Sequence, residues 1–187
     1  MPSFSLLPLP SIHFGSGSFS TLSGLLSGFG PNILAVTGSH ALDRSGRYGS
    51  LSASLENSGI RLHRVLVGKE PSPELVNSAV NRFRESGIDA VIAIGGGSVL
   101  DTGKAVSAML LQDQPVERFI EGRDGVLPHD GRKVPFIAVP TTSGTGSEVT
   151  NNAVISRVGK NGFKRSLRHP AFVPDIALVD PDLMTSV

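Results

Sequence analysis

Residues 90–105 read AVIAIGGGSVLDTGKA, and this stretch decides the fold. It begins with five apolar residues, a length and composition typical of a strand buried in a parallel sheet. Three glycines follow, and after them apolar residues recur at helical spacing from Ser98 to Leu110. The order predicts a buried strand that turns tightly into a helix.

Short apolar runs and amphipathic stretches alternate on both sides of this segment. Further strands are predicted at 33–36, 62–67, 136–139, 153–156 and 176–179, with a weak one near Lys164. Helices are predicted over 19–29 and between Ser72, an N-cap followed by a proline, and Gly87. This alternation predicts an α/β fold: a Rossmann-like, doubly wound, mainly parallel sheet, with a β-hairpin near the C-terminus.

Composition limits the classes of protein that need considering. The length of 187 residues suits one domain, 1–187, and the net charge of +1 gives no general attraction to nucleic acid or to an anionic membrane. The chain has no cysteine, which excludes disulfides, thiolate zinc sites and a cysteine nucleophile. No apolar run reaches the roughly 18 residues of a membrane span, and residues 1–10 lack the charged start of a secretory signal. We therefore expect a cytoplasmic protein with neither nucleic-acid nor membrane partners.

The three glycines, Gly95 to Gly97, predict a phosphate-binding turn. A backbone without Cβ atoms can approach a pyrophosphate closely, and the free N–H groups and dipole of the following helix attract an anion. We expect Ser98 to cap this helix and to offer its hydroxyl to the same phosphate. The turn departs from the pattern GxGxxG at Leu100, and from the P-loop at Ser98 and Ala105, which disfavours an ATPase or GTPase.

A second motif, VPTTSGTGSEVT at 139–150, follows another predicted strand. In parallel sheets ligands bind at the carboxyl ends of strands, where this loop would lie. Its hydroxyls can bind ribose, adenine and phosphate oxygens. The alternative is a loop whose hydroxyls bind only its own backbone.

Together the two motifs, GGGSxxDxxKA and PTTxGTxSE, resemble the N-terminal domain of the iron-containing (group III) alcohol dehydrogenase family. The resemblance extends from Phe14-Gly15-Ser16-Gly17 to PDIALVDPDL at 174–183. It implies that the chain binds NAD or NADP and belongs to an oxidoreductase that transfers hydride between this coenzyme and an alcohol or aldehyde with the help of a metal. A polyol or sugar-phosphate dehydrogenase with the same N-terminal fold is the alternative among enzymes, although the full GTGSE loop favours the alcohol dehydrogenases.

The resemblance also assigns coenzyme contacts. They comprise the pyrophosphate cradle (Gly96, Gly97, Ser98), the adenine and ribose contacts (Thr141, Thr142, Thr145, Asn152) and the nicotinamide end (Asp101, Lys164, and Leu183 beside the ribose or nicotinamide). Alternatives remain for three of them. An acid such as Asp101 is favoured in a first helical turn without any ligand, Lys164 belongs to a basic run, and Leu183 is equally credible as a core residue.

Gly38 bears on the choice between NAD and NADP. Dinucleotide folds often carry an acid at the end of this strand, where it binds the 2′-hydroxyl of the adenosine ribose and repels a 2′-phosphate. Many NAD-preferring relatives of this family have Asp here, but this chain has Gly38, followed by Ser39 and His40. Because these two side chains can donate to a phosphate, we expect NADP to be tolerated or preferred.

The resemblance places the metal ligands, one Asp and three His, in an all-helical C-terminal domain that is absent from this chain. The chain's own five histidines show no paired spacing such as i, i+4. We therefore assign no metal ligand and no catalytic residue here, and expect Fe²⁺ or another divalent metal only in the full-length parent. These 187 residues are expected to bind coenzyme and to turn over alcohol poorly or not at all, since no cation polarises the substrate oxygen.

Two further expectations concern partners. The substrate in the full-length protein would be a small alcohol or aldehyde, and a homo-oligomer is expected because the face left by a missing domain favours association. The alternative from another functional class is a stand-alone nucleotide-binding module without catalytic activity.

Overall fold

The computed structural model describes residues 8–160 and 162–185. A six-stranded sheet, parallel throughout, forms its centre. Its strands are β1 (Ser11–Phe14), β2 (Asn32–Gly38), β3 (Arg61–Val67), β4 (Ala90–Gly95), β5 (Phe136–Pro140) and β8 (Ile176–Val179). They lie side by side in the order β1-β8-β5-β4-β2-β3. The chain order reverses between β2 and β4, since β3 lies on one side of β2 whereas β4 and then β5 lie on the other, so the predicted doubly wound α/β fold is confirmed.

Helices cover both faces of the sheet. They are α1 (Leu22–Leu26), α2 (Ala41–Arg44), α3 (Arg47–Asn57), α4 (Pro73–Phe83) and α5 (Gly97–Met109). Side chains of α4 and α5 share one buried apolar cluster with the sheet, and those of α1 and α3 share the other. No helix within residues 8–160 and 162–185 is both long and apolar enough to cross a membrane.

The two predicted helix starts differ in outcome. At α4 the prediction is confirmed: Ser72 Oγ accepts a hydrogen bond from the Leu75 N–H at 3.2 Å, and Pro73 is the first helical residue. At α5 the prediction that Ser98 caps the helix is wrong, because the N-cap is Gly96 and no side chain caps it. The helix begins earlier than expected, at Gly97, which leaves Ser98 inside its first turn.

The predicted hairpin is formed by β6 (Asn152–Arg157) and β7 (Phe163–Arg168), which pair antiparallel outside the main sheet. The hairpin contributes Ala153, Ile155 and Leu167 to the cluster that contains α5. The third C-terminal strand, β8, does not join this hairpin. It lies between β1 and β5 in the main sheet and is parallel to both.

Three elements carried too weak a pattern for prediction. Strand β1 is a short edge strand with little burial, α2 is one turn, and α3 buries only Leu51 and Leu55 along a serine-rich sequence. The helix expected over 19–29 is shorter: a 3-10 turn at Ser18–Thr21 precedes α1. These elements depend on packing against the sheet rather than on local preference.

Candidate functional site

The candidate site lies where β2, β4 and β5 end. The register aligns Thr37 with Ile94, and Gly95 with Pro140, so the three carboxyl ends stop at the same edge of the sheet. The Thr141 N–H donates to the Gly95 carbonyl at 3.0 Å. The hydroxyl-rich loop after β5 is thereby held against the glycine turn after β4.

The three glycines of the turn have different reasons to lack a side chain. A Cβ on Gly95 would lie 2.6 Å from Val99 Cβ, so this glycine is required by packing inside the turn. A Cβ on Gly96 would lie 3.3 Å from Thr142 Oγ1, and one on Gly97 would lie 3.1 Å from Thr145 Cγ2. Gly96 and Gly97 therefore face the loop across a narrow gap that any side chain would fill.

A cleft of about 650 Å³ opens on one side of this gap. Four of the predicted contact residues line it: Gly38, Gly96, Thr141 and Leu183. Leu183 is also part of the buried cluster beneath α1 and α3, so its core role and its place at the cleft are compatible.

A smaller cleft of about 300 Å³ opens on the other side. Six more predicted residues line it: Gly97, Ser98, Asp101, Thr145, Asn152 and Lys164. Thr142 lies between the two clefts, against Gly96. The structure thus brings all eleven predicted residues to one site, but it changes their grouping. Thr145 and Asn152 line the smaller cleft, apart from Thr141, and Leu183 lines the larger cleft, apart from Asp101 and Lys164, with which it had been placed at the nicotinamide end.

Asp101 has protein partners for both carboxylate oxygens. Oδ1 accepts a hydrogen bond from Ser147 Oγ at 2.6 Å, and Oδ2 accepts one from the Val154 N–H at 3.0 Å. The carboxylate therefore connects α5 to the hydroxyl-rich loop and to β6. Asp101 also lines the smaller cleft. Each of its carboxylate oxygens can accept a further hydrogen bond there.

Lys164, which also lines the smaller cleft, lies on β7. Its ammonium is 3.4 Å from Glu70 Oε1, and both side chains are exposed. Such an exposed pair contributes little to stability, so the lysine can exchange this partner for another at small cost.

Lys104 belongs to the site's structure although sequence reasoning gave it no role. It lies on α5 and is 1% exposed, and its Nζ donates to the carbonyls of Ser147 (2.7 Å), Thr150 (2.8 Å) and Asn152 (2.9 Å). Burial lowers the pKa of Lys104 to about 8, against the opposing attraction of Asp101 and Glu148. The sequence did contain an indication of this role, because Lys104 lies between Gly103 and Ala105 on a helix that is largely buried. A lysine in such a place needs hydrogen-bond acceptors or an opposite charge beside its ammonium.

Two arginines of the larger cleft were also missed. Arg44 and Arg47 line it together with Gly38, Ser39 and His40, and among the described residues neither makes an ion pair. The sequence could not place them, because α2 and the start of α3 were not predicted. Gly38 leaves room: a Cβ there would meet nothing closer than Val99 Cγ2 at 3.9 Å.

The part of the chain that the structure describes brings no three His, Asp or Glu side chains together in an arrangement that could hold a metal ion. His129, for example, lies within hydrogen-bonding distance of two backbone groups, the Ala108 carbonyl at 3.1 Å and the Gly131 N–H at 3.0 Å. The described residues therefore do not form a metal site.

Comparison with known proteins gives consistent matches. A sequence model described as iron-containing alcohol dehydrogenase matches residues 10–181. The chain is 38% identical over 175 residues to the probable alcohol dehydrogenase EutG of Escherichia coli, covering 92% of this chain and 43% of that protein.

Solved structures agree. The chain superimposes on the NADH-dependent butanol dehydrogenase A of Thermotoga maritima with a TM-score of 0.87 at 28% identity, covering 100% of this chain and 46% of that one. A sulfoacetaldehyde reductase of Bifidobacterium kashiwanohense, solved in complex with NAD⁺, gives 0.83 at 26% identity, covering 100% and 48%. The chain thus spans less than half the length of these relatives.

Proposed function

Since the chain belongs to the iron-containing alcohol dehydrogenase family, we propose that it binds NAD or NADP as the coenzyme-binding part of an oxidoreductase acting on alcohols and aldehydes. The observation that carries this proposal is the narrow gap between the Gly96–Gly97 turn and the threonines opposite it, with a cleft on either side. A dinucleotide has the matching shape, a pyrophosphate between two nucleosides. The adenosine half would occupy the larger cleft and the nicotinamide half the smaller one.

The pyrophosphate would lie at the start of α5. The free N–H groups of the first helical turn and the positive end of the helix dipole stabilise an anion there, and α5 is long enough, at 13 residues, to have both. Ser98, which does not cap the helix, keeps its hydroxyl available for a phosphate oxygen.

The bound nicotinamide supplies the position that accepts or donates hydride. The residues of this chain bind and orient that half of the coenzyme. Lys164, on leaving Glu70, would donate to the ribose hydroxyls, and Asp101 and Asn152 would flank the ring from α5 and β6. We propose no catalytic group among these residues.

The larger cleft favours a 2′-phosphate. Gly38 places neither a carboxylate nor any other side chain at the end of β2, and Arg44 and Arg47 line the same cleft. Arginine recognises phosphate through charge-assisted, often paired, hydrogen bonds. We propose that NADP is tolerated or preferred for this reason, with Ser39 and His40 as additional donors.

A titration with NADH and NADPH, followed by nicotinamide fluorescence, tests the proposal. We expect saturable binding of both, with NADPH at least as tight as NADH. Gly38→Asp should weaken NADPH binding at least tenfold, which is about 1.4 kcal/mol, because a carboxylate there repels the 2′-phosphate, and should leave NADH within a few-fold.

Gly24→Asp is the matched control, since it adds the same charge on α1, at an exposed glycine that lines neither cleft. It should change neither affinity. The absence of binding by either coenzyme would refute the proposed function, and much tighter binding of NADH than of NADPH would refute the preference alone.

The substrate, a small alcohol or aldehyde, the homo-oligomeric state and the cytoplasmic location belong to the same proposal. The divalent metal of the family is assigned to no residue of this chain.

A further inference from the structure

Lys104 makes contacts that the proposed function does not use. It follows the glycine turn by two helical turns along α5 and lines neither cleft. Its ammonium has three N–H donors, and the three carbonyls of Ser147, Thr150 and Asn152 lie within 2.9 Å of it. A cation buried this completely is stable only when it is hydrogen-bonded or paired, and here backbone carbonyls supply the bonds.

Two of these carbonyls, those of Ser147 and Thr150, belong to the loop that joins β5 to β6, and the third, that of Asn152, belongs to the first residue of β6. Residues 141–151 form neither helix nor strand. The N-terminal half of this loop is attached to the glycine turn through Thr141, while its C-terminal half is attached to α5 through Lys104. Ser147, which Lys104 holds by its carbonyl, in turn donates its hydroxyl to Asp101.

The consequence reaches the smaller cleft. Thr145, Ser147, Thr150 and Asn152 all line it, and three of these four present their carbonyls to Lys104. The buried ammonium therefore holds three backbone groups of this wall against α5, in addition to the two hydrogen bonds that Asp101 accepts from Ser147 and Val154.

We propose that Lys104 is a positioning residue for the coenzyme: its ammonium holds residues 147–152 against α5, so that the nicotinamide-side cleft is formed before the coenzyme arrives. The inference depends on the proposed function, because it assigns the smaller cleft to the nicotinamide half. Lys104 itself touches no ligand.

The charge state of the ammonium distinguishes a positioning role from a purely structural one. Only a positioning role makes the coenzyme affinity depend on the protonation of Lys104 without a parallel loss of stability. Two ionisable groups face Lys104: Asp101 on the same helix and Glu148 in the loop. Because the folded-state pKa of Lys104, about 8, lies below its ordinary value of 10.5, raising the pH between these values removes its proton in the folded state first. This loss does not destabilise the fold, since the unfolded chain binds the proton more tightly. It does remove one of the three donors.

The expected result is that coenzyme affinity falls as the pH rises from 7 to 9.5, while the free energy of unfolding does not fall with it. Lys104→Met should lower the affinity for NADPH and NADH at least tenfold at pH 7 and abolish this pH dependence. Lys104→Arg, which stays protonated and can donate to the same carbonyls, should retain more affinity than Lys104→Met and be insensitive to pH in this range.

Lys160→Met is the matched control, because Lys160 is exposed and lines neither cleft. Circular dichroism and urea unfolding identify any variant that fails to fold, and in that event the pH profile of the wild-type chain decides. Folded Lys104→Met that binds within twofold of the wild type, or a wild-type affinity that is constant from pH 7 to 9.5, would overturn the inference. Failure of the wild-type chain to bind either coenzyme would instead refute the proposed function.

Discussion

Asp180 shows how one side chain can hold two distant segments together. It is 1% exposed, and its carboxylate accepts hydrogen bonds from the N–H groups of Gly17 (3.1 Å), Phe19 (2.9 Å) and Asp182 (3.0 Å). Burial opposes its ionisation, but these three donors hold its pKa below the ordinary value of 3.8. The ionised Asp180 carboxylate therefore stabilises the fold above pH 3.8, and this stabilisation is lost as the pH falls through the lower, folded-state pKa.

Asp180→Asn should lower the free energy of unfolding at pH 7 by about 2 kcal/mol, because hydrogen bonds to a charged acceptor are replaced by weaker ones and an amide N–H₂ faces N–H donors. The difference from the wild type should shrink as the pH falls from 5 to 3. Urea unfolding across this pH range measures it. Asp113→Asn, at an exposed position, is the control and should show no such trend. A deficit that stays constant down to pH 3 would contradict this explanation.

At the scale of the element, α5 is both the anion-binding helix and a close-packed layer on the sheet. Gly103 allows this packing: a Cβ there would lie 2.6 Å from Ala93 Cβ and 2.9 Å from Phe136 Cε2. Two effects therefore oppose each other when Gly103 is replaced by alanine. Helix propensity favours alanine by about 1 kcal/mol, whereas overpacking a core costs about 1–3 kcal/mol.

We expect the packing cost to exceed the gain in propensity, so that Gly103→Ala lowers the free energy of unfolding by about 1–2 kcal/mol. Gly49→Ala on α3 is the matched control, since nothing lies within 4 Å of a Cβ at that exposed position. There only propensity acts, and the same substitution should raise stability by up to about 1 kcal/mol. Urea unfolding of both variants measures the two signs; a stabilised Gly103→Ala would show that α5 shifts without cost.

At the scale of the whole molecule, coenzyme binding should not depend on metal. The described residues form no cluster of three metal-ligating side chains, and the proposed coenzyme contacts are residues that line the two clefts. Saturating NADPH at about 100 times its dissociation constant should stabilise the fold by about 2.7 kcal/mol.

Thermal unfolding with and without NADPH checks this expectation, in the presence of Fe²⁺, Zn²⁺ or a chelator. The upward shift in the midpoint caused by NADPH should be equal under the three conditions. A shift that appears only with a metal ion would place metal ligands within these residues. Turnover of an alcohol by the 187 residues should be slow or absent with Fe²⁺, with Zn²⁺ and with the chelator.

Much of the molecule was predictable from local pattern. The apolar runs at 33–36, 90–94, 136–139 and 176–179 all lie in strands of the parallel sheet, because a strand covered on both faces must be apolar throughout. The strand predicted at 62–67 is also present, but it lies at the sheet edge, where His63 and Arg64 are tolerated. Family membership, predicted from two motifs of fewer than fifteen residues each, is confirmed by a family match over residues 10–181.

The residues at the turn were predictable for a related reason. Glycine at a strand-to-helix turn and hydroxyls at a neighbouring strand end are local signals, and the topology of a parallel sheet brings them together at one edge. What could not be predicted was how the loop is held. Lys104 and Ser147 are 43 residues apart, and Arg44 and Arg47 reach the cleft through elements with weak amphipathic patterns.

The sequence by itself thus determined the fold class, the glycine turn and the family, since each depends on local patterns and on their order along the chain. Only the tertiary structure decided which side chains support the site and which line it. A buried ammonium, a carboxylate with three N–H donors and an arginine beside a cleft acquire their roles from the burial, neighbours and charge that the fold provides. Those quantities depend on contacts between distant parts of the chain, which no local pattern encodes.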